Sequence, residues 1–144
     1  MQNTAAELER ILDGARPRLL ALSDTAAAQS PVAEKWSRKE ILGHLIDSAA
    51  NNHQRFVRLQ IEPTLSLPSY RQPDWVRVQH YKDRRWSELV ELWIAYNRHL
   101  AHIIRHADPQ AAGHLWKTAE GDLTLAFLMT DYLKHLQHHL DQVL

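Results

Sequence analysis

Residues 124–144 read TLAFLMTDYLKHLQHHLDQVL, and their apolar side chains recur at the three- and four-residue spacing of an amphipathic helix. His135 and His139 lie four residues apart, about one helical turn. His135 lies at the border of this apolar face, and His139 lies within it. A buried imidazole needs a polar partner. The pair therefore predicts one cation shared by both rings, or a separate hydrogen bond for each. The apolar face consists of Leu125, Met129, Tyr132, Leu136, Leu140 and Val143.

Three more helical segments precede this one. The predicted helices span 4–28, 37–61 and 86–107, and the long connections span 62–83 and 108–122. Capping boxes open the first helix, at Thr4-Ala5-Ala6-Glu7, and the second, at Ser37-Arg38-Lys39-Glu40. Pro17 predicts a kink or a break in the first helix. The connection 62–83 holds three prolines and no clean period, which is typical of a structured loop beside a site.

These segments predict an all-α protein that forms one four-helix-bundle domain over residues 1–144. A chain of this length buries roughly 70% of its unfolded surface, enough for an ordinary hydrophobic core. In such bundles, metal and cofactor sites are built in the core from side chains on facing helices.

The composition of the chain disfavours some classes of partner and limits which residues can hold a metal. Lys and Arg number 17, Asp and Glu also number 17, and no basic block stands out, which disfavours nucleic acid as a partner. No stretch approaches the length of a membrane span, so we expect a cytoplasmic protein with no membrane partner. The chain has no cysteine, and any metal must be held by histidine and carboxylate.

The second predicted helix carries a polar stripe along the edge of its apolar face: His44, Asp47, Ser48, Asn51 and Arg55. In a bundle interior this is an unusual concentration of hydrogen-bonding groups. The Asp47 carboxylate suits three roles: orienting a liganding imidazole, serving as a fourth ligand, or acting as a general base. The other interpretation is a solvated seam between two helices.

Three neutral imidazoles, from His44, His135 and His139, make a site for a divalent transition metal with a position left open. Zinc and nickel are the first choices, and iron and copper accept the same donors. His102 and His106 compete, since they are also four residues apart with His99 one turn earlier. His102 lies outside the apolar face, however, and His106 falls in the last turn of the predicted helix, where an imidazole interacts favourably with unpaired carbonyl groups.

Two segments resemble the signature regions of the DinB-like superfamily, which includes YfiT-type metal-dependent hydrolases. They are Trp36-Ser37-Arg38-Lys39-Glu40-Ile41-Leu42-Gly43-His44-Leu45-Ile46-Asp47-Ser48 and Asp131-Tyr132-Leu133-Lys134-His135-Leu136-Gln137-His138-His139-Leu140-Asp141-Gln142. The pieces Pro68-Ser69-Tyr70, Asp74-Trp75-Val76 and Gln79-His80-Tyr81 also resemble the family's loop.

The resemblance implies an up-down-down-up four-helix bundle, frequently dimeric, so a homodimer is expected. It also implies a metal held by three histidines, and the matching positions are His44, His135 and His139. The family is similar to thiol S-transferases that use bacillithiol, mycothiol or glutathione. A low-molecular-weight thiol is therefore an expected partner.

We expect a small metal-dependent enzyme, a thiol S-transferase or a hydrolase, acting on a small-molecule substrate. Asp47, Asn51 and Arg55 are the candidates for catalysis, in the role of orienting that substrate. The alternative is a non-catalytic bundle that binds a metal or small molecule for sensing, storage or structure. A pocket beside the histidines, formed with residues 62–83 and 108–122, would discriminate in favour of the enzyme. Trp75 and Trp116 are candidates to line it, or else to staple the bundle ends.

Overall fold

The computed structural model describes residues 1–144 and contains six α-helices and three short strands. The helices are α1 (Gln2–Leu20), α2 (Asp24–Ala27), α3 (Arg38–Ile61), α4 (Gln72–Val78), α5 (Trp86–Arg105) and α6 (Leu125–Val143). The strands are β1 (Thr64–Leu65), β2 (Leu115–Thr118) and β3 (Gly121–Thr124), and 3₁₀ turns occupy Tyr81–Asp83 and Pro109–Gly113. None of the helices has the length and apolar character needed to cross a bilayer.

The four long helices form the predicted bundle. Helix α5 packs against α1 and α3, helix α6 packs against α3 and α1, and a single hydrophobic core runs between them. Helices consecutive in the chain, α1 with α3 and α5 with α6, therefore lie across the diagonal of the bundle. Each diagonal is crossed by a long connection, residues 21–37 and residues 106–124. This arrangement puts α3 beside α6, the two helices that carry the predicted metal ligands.

The start of α3 confirms the second predicted capping box. The Ser37 hydroxyl accepts a hydrogen bond from the Glu40 backbone amide at 3.3 Å, and the Glu40 carboxylate accepts one from the Ser37 amide at 2.8 Å. These contacts satisfy donors that the first turn of a helix cannot pair internally. The start of α6 is fixed in the same way, by the Thr124 hydroxyl.

The first predicted helical segment starts at the wrong residue, and it is divided into two helices, as Pro17 allows. Helix α1 begins at Gln2 with no side-chain cap, so Thr4 and Glu7 lie inside it rather than forming a capping box. It ends at Leu20, three residues after Pro17. A new helix, α2, starts behind Ser23, whose side chain accepts from the Ala26 amide at 3.1 Å. The serine followed by an acidic residue is an N-terminal helix signal, and the second helix ends at Ala27, one residue before the predicted end of the segment.

The connection after α3 and the connection before α6 contain a three-stranded sheet that helical periodicity does not predict. Strand β1 pairs in parallel with β2, and β2 pairs antiparallel with β3. The register places Leu65 beside Trp116, and Trp116 beside Leu123. Strands of two and four residues are too short to show an alternating pattern. The sheet joins the connection after α3 to the connection before α6 at one end of the bundle.

The Asp24 carboxylate links the first turns of α2, α3 and α5 through hydrogen bonds. Asp24, at the start of α2, accepts a 2.8 Å hydrogen bond from the buried ammonium of Lys39 in the first turn of α3. Its other oxygen accepts a 2.8 Å hydrogen bond from the backbone amide of Trp86, the first residue of α5. Helix α5 has no side-chain cap of its own, and Asp24 supplies one from another part of the chain.

Gly43 lets the 3₁₀ turn at Tyr81–Asp83 pack directly on α3. A β-carbon at position 43 would overlap the buried ring of Tyr81. The Tyr81 hydroxyl donates a 2.6 Å hydrogen bond to Oδ1 of Asp47, one turn further along α3. Any larger residue at position 43 must therefore displace the ring and its hydrogen bond.

We expect Gly43→Ala to lower the free energy of unfolding by about 1–3 kcal/mol, the usual cost of overpacking a core. The control is Gly14→Ala, at an exposed site in α1 where nothing approaches the added β-carbon. That change should raise the free energy of unfolding by about 0.5–1 kcal/mol, because alanine favours the helix. Urea denaturation measures both. A Gly43→Ala protein as stable as the wild type would contradict the close packing of Tyr81.

Candidate metal centre

Helices α3 and α6 bring three histidines together inside the bundle. His44 comes from α3, and His135 and His139 come from successive turns of α6. One ring nitrogen of each lies within 4.8 Å of the others, so the three side chains can hold one metal ion. His44 is fully buried, and the other two are partly buried. His138, which sequence periodicity directs away from the core, is exposed.

The spacing of the ring nitrogens suits a shared cation. Nε2 of His44 lies 3.2 Å from Nε2 of His135. Two imidazole nitrogens bound at 2.0–2.1 Å to one tetrahedral metal ion are separated by about 3.3 Å. Two such nitrogens at this distance share either one proton or one cation, since two bare lone pairs repel each other.

The remaining ring nitrogens fix the orientation of the rings. Nδ1 of His139 lies 2.9 Å from the side-chain oxygen of Gln142, and Nδ1 of His135 lies 3.4 Å from the Ser48 hydroxyl. An amide oxygen only accepts, so His139 donates from Nδ1 and keeps Nε2 free as a ligand. Nδ1 of His44 is buried without a partner, and the Trp36 ring lies 5.3 Å from its ring centroid.

Burial keeps two of these imidazoles neutral. Desolvation, followed by repulsion from His139 and His135, lowers the pKa of His44 to about 3. Desolvation and the neighbouring His139 lower the pKa of His135 to about 4, although Asp131 opposes the shift. Neutral imidazole is the form that binds metal ions. The donor set therefore fits a divalent transition metal, with no thiolate and no carboxylate among the three clustered donors.

Asp47 lies on the same helix as His44 but is not part of the three-histidine cluster. Its Oδ1 accepts 2.6 Å hydrogen bonds from the Tyr81 hydroxyl and from the Gln79 amide. Its Oδ2 is buried without a partner. Burial raises the pKa of Asp47, and the two hydrogen bonds oppose this shift. The Asn51 amide donates to the Asp47 backbone carbonyl at 2.9 Å, so Asn51 supports the helix at this point.

Arg55, the last residue of the predicted stripe, lies in a pocket beside His135. The pocket has a volume of about 230 Å³ and combines residues of α3 and α6 with residues of both long connections. Its lining includes Ser48, Arg55, Tyr70, Trp116, Tyr132 and His135. The predicted pocket formed with residues 62–83 and 108–122 is therefore present beside the histidines, and Trp116 lines it. Trp75 does not, and 39% of its surface is exposed.

A second, larger groove continues from this pocket. It has a volume of about 720 Å³, lies against the β2–β3 hairpin, and shares Ser69, Trp116 and Leu123 with the pocket. None of the three clustered histidines lines it. The smaller pocket is the more relevant cavity, because His135 forms part of its wall.

Sequence reasoning did not predict that Gln79 and Tyr81 contact Asp47 or that Tyr70 lines the pocket. Gln79 and Tyr81 come from the connection after α3, where no periodic pattern predicts which side chains turn inward. Tyr70 lies in the same connection. The only signal was the resemblance of these loop pieces to a known family. The position of Tyr81 depends on Gly43, a contact between distant parts of the chain.

The competing histidines on α5 do not form a cluster of three donors. The rings of His102 and His106 lie 4.2 Å apart, both residues are exposed, and Nδ1 of His106 lies 2.9 Å from the His102 carbonyl. This agrees with the helix-end explanation. His99 instead lies beside His53, whose Nδ1 is 3.0 Å from the Tyr96 hydroxyl.

Comparison with known proteins supports both the fold and the family. No curated protein matches the sequence significantly. Among solved structures, the chain is similar to YfiT from Bacillus subtilis, described as a probable metal-dependent hydrolase with an unusual four-helix bundle topology. The match has a TM-score of 0.82 at 18% identity and covers 96% of this chain and 83% of YfiT. The likeness shows the four-helix-bundle fold.

The sequence itself matches the DinB superfamily model over residues 7–143. This match includes the capping box of α3, both long connections and all three clustered histidines. The chain belongs to the DinB superfamily.

Proposed function

We propose that this protein is a metal-dependent enzyme that acts on a small molecule. In this proposal His44, His135 and His139 hold a divalent transition metal. The observation that carries it is the position of His135, which belongs both to the three-histidine cluster and to the wall of a pocket of about 230 Å³. These three histidines would hold the metal, and a three-ligand site of this kind would leave a position for substrate, as catalytic sites do.

Zinc or nickel is the first choice of metal, and iron and copper accept the same donors. When bound, such an ion acts as a Lewis acid that polarises a substrate oxygen or binds a thiolate as nucleophile. The chain's own residues provide the geometry. Ser48 and Gln142 fix two of the imidazole rings, and the Trp36 ring lies beside the third.

We assign the orientation of the substrate to Asp47, Asn51 and Arg55. Arg55 reaches the pocket directly. Asp47 acts from behind it, because its carboxylate holds Tyr81 and Gln79 and so positions the connection that also carries Tyr70. Asn51 supports the Asp47 backbone. Only Arg55 among the three is placed to touch substrate.

The reaction is hydrolysis or transfer of a thiol sulfur. The description of YfiT as a probable metal-dependent hydrolase supports the first. The resemblance to thiol S-transferases supports the second, with a low-molecular-weight thiol as co-substrate, and we favour it on that ground alone. The same resemblance is the basis for proposing a homodimer.

The alternative is a non-catalytic bundle that binds a metal or small molecule for sensing, storage or structure. A purely structural metal site is closed by protein ligands. Here the three clustered donors are all histidines, and a pocket opens beside one of them. The pocket supports the enzyme over the closed site.

We expect protein purified without an affinity tag to contain nearly one divalent metal ion per chain, and His139→Ala to lose it. Two imidazoles and water bind far more weakly than three imidazoles, since the third ligand adds affinity without further ordering cost. Elemental mass spectrometry measures the metal and also identifies it. His102→Ala is the matched control, because it removes one histidine from the other pair spaced four residues apart.

Retention of metal in His139→Ala and its loss in His102→Ala would move the site to α5. Absence of metal after reconstitution with zinc, nickel, iron and copper in turn would overturn the proposed function. If the metal is present, screens with thiol donors and with hydrolysable esters and amides decide between transfer and hydrolysis.

We expect the metal-free protein to lose stability as the pH falls from about 6.5, the ordinary pKa of histidine, towards 4. Because the folded-state pKa values of His44 and His135 are lowered, the unfolded chain binds more protons in this window, and the free energy of unfolding decreases. Urea denaturation of chelator-treated protein at pH 7.5 and pH 5.0 measures the loss.

His44→Leu should lose less stability than the wild type over the same interval, since leucine does not titrate. Carboxylates titrate equally in both proteins and cancel from the comparison. Equal losses would show that His44 is not held in its neutral form.

A further inference from the structure

Arg55 is a cation without a counter-charge. It lies near the middle of α3 and is partly buried, and no carboxylate oxygen lies within 4.0 Å of its guanidinium. By contrast Arg58, one turn further along the same helix, pairs with Glu62. A partly buried charge without a partner costs free energy, and proteins retain such groups where a ligand supplies the opposite charge.

The guanidinium is held in place from two sides. It stacks on the Trp116 ring, with the central carbon 3.9 Å from the ring centroid. Its Nη1 donates to the Asn52 side-chain oxygen at 3.2 Å, and the Asn52 amide is itself fixed by the Ser48 carbonyl at 3.0 Å. Nε and Nη2 have no acceptor in the protein. The group is therefore pre-oriented, with one edge of its fork free.

The pocket around Arg55 contains further hydrogen-bond donors. Nε1 of Trp116 is buried without a hydrogen-bond partner, and the Tyr70 hydroxyl makes no hydrogen bond within the protein. Ser69 and Gln72 add a hydroxyl and an amide to the lining. Asp131 is the one carboxylate there; it is exposed and makes no ion pair with Arg55. The Tyr70 phenol and the free guanidinium edge of Arg55 are both hydrogen-bond donors, and such donors suit one ligand group, an oxyanion.

We propose that Arg55 anchors an oxyanion of the substrate, a carboxylate or a phosphate-type group, while the other end of that molecule lies at the three histidines. The proposal rests on the proposed function, since it specifies the class of molecule on which the metal centre acts. His135 and Arg55 line the same pocket of about 230 Å³, which limits the portion bound there to a small acid. Further parts of a larger molecule extend into the groove of about 720 Å³.

The test uses three probes with one ring and different head groups: benzoate, phenylphosphonate and the neutral benzamide. The full chain is first stripped of metal with a chelator, so that no metal ion can bind the anions. The readout is the indole N–H signal of Trp116 in ¹H–¹⁵N correlation spectra, assigned with Trp116→Phe. We expect benzoate or phenylphosphonate to shift this signal saturably and benzamide to leave it unchanged. The tighter of the two acids identifies the head group.

Arg55→Gln should weaken binding of the preferred acid by about ten- to hundredfold, the range for a lost hydrogen bond to a charged group. Arg55→Lys keeps the charge without the planar fork and should weaken it less. Arg58→Gln is the matched control and should bind as the wild type does. If Arg55→Gln does not fold, as judged by the dispersion of its spectrum, Arg55→Lys decides by its reduced affinity.

Two results would overturn the anchor: benzamide binding as tightly as the acids, or acid affinity unchanged in the Arg55 variants. Zinc affinity, measured by competition with a chromogenic chelator, keeps the two proposals apart. Zinc binding without Arg55-dependent acid binding contradicts the anchor alone. Arg55-dependent acid binding in a protein that takes up no metal contradicts the metal-dependent function and leaves the oxyanion pocket established.

Discussion

Three imidazoles packed against one another in the bundle interior cannot all be positively charged. His44 is fully buried, and its Nε2 faces Nε2 of His135 at 3.2 Å, so protonation of both rings would place two positive charges in contact. Burial keeps the rings of His44 and His135 neutral, and their Nε2 atoms face each other. Every other feature of the site follows from satisfying the lone pairs of these rings. The diagonal connections of the bundle bring α3 beside α6, and hydrogen bonds to Ser48 and Gln142 orient the rings.

Helical periodicity and capping signals predict most of the bundle. The starts of α3 and α6 follow from the N-cap residues Ser37 and Thr124, which accept hydrogen bonds from amides three residues further along the chain. The first helix shows the limit, because the capping pattern at Thr4 has no effect once the chain is already helical from Gln2. The small sheet could not be predicted, since its strands are held by pairing between connections far apart in sequence.

The candidate site also has features that local sequence predicts and features that depend on long-range contacts. The spacing of His135 and His139 is local, and helix geometry alone places both on one face. The polar stripe on α3 is equally local, but the surroundings of its members are not. Asp47 accepts a hydrogen bond from Tyr81 in the connection after α3, and Arg55 stacks on the ring of Trp116 in β2. Which stripe residue reaches the pocket is decided by these long-range contacts, and periodicity carries no information about them.

The pocket wall combines two parts of the chain, helix residues that include His135 and residues of the connections after α3 and before α6. All three clustered histidines lie on long helices of the hydrophobic core, whereas Tyr70 and Trp116 lie on the connections. Core positions tolerate few substitutions, because their packing sets the stability of the whole bundle. Connections accept insertions and exchanges at little cost. Substitutions in the connections can therefore change the shape and polarity of the pocket wall while the three histidines on the helices stay in place.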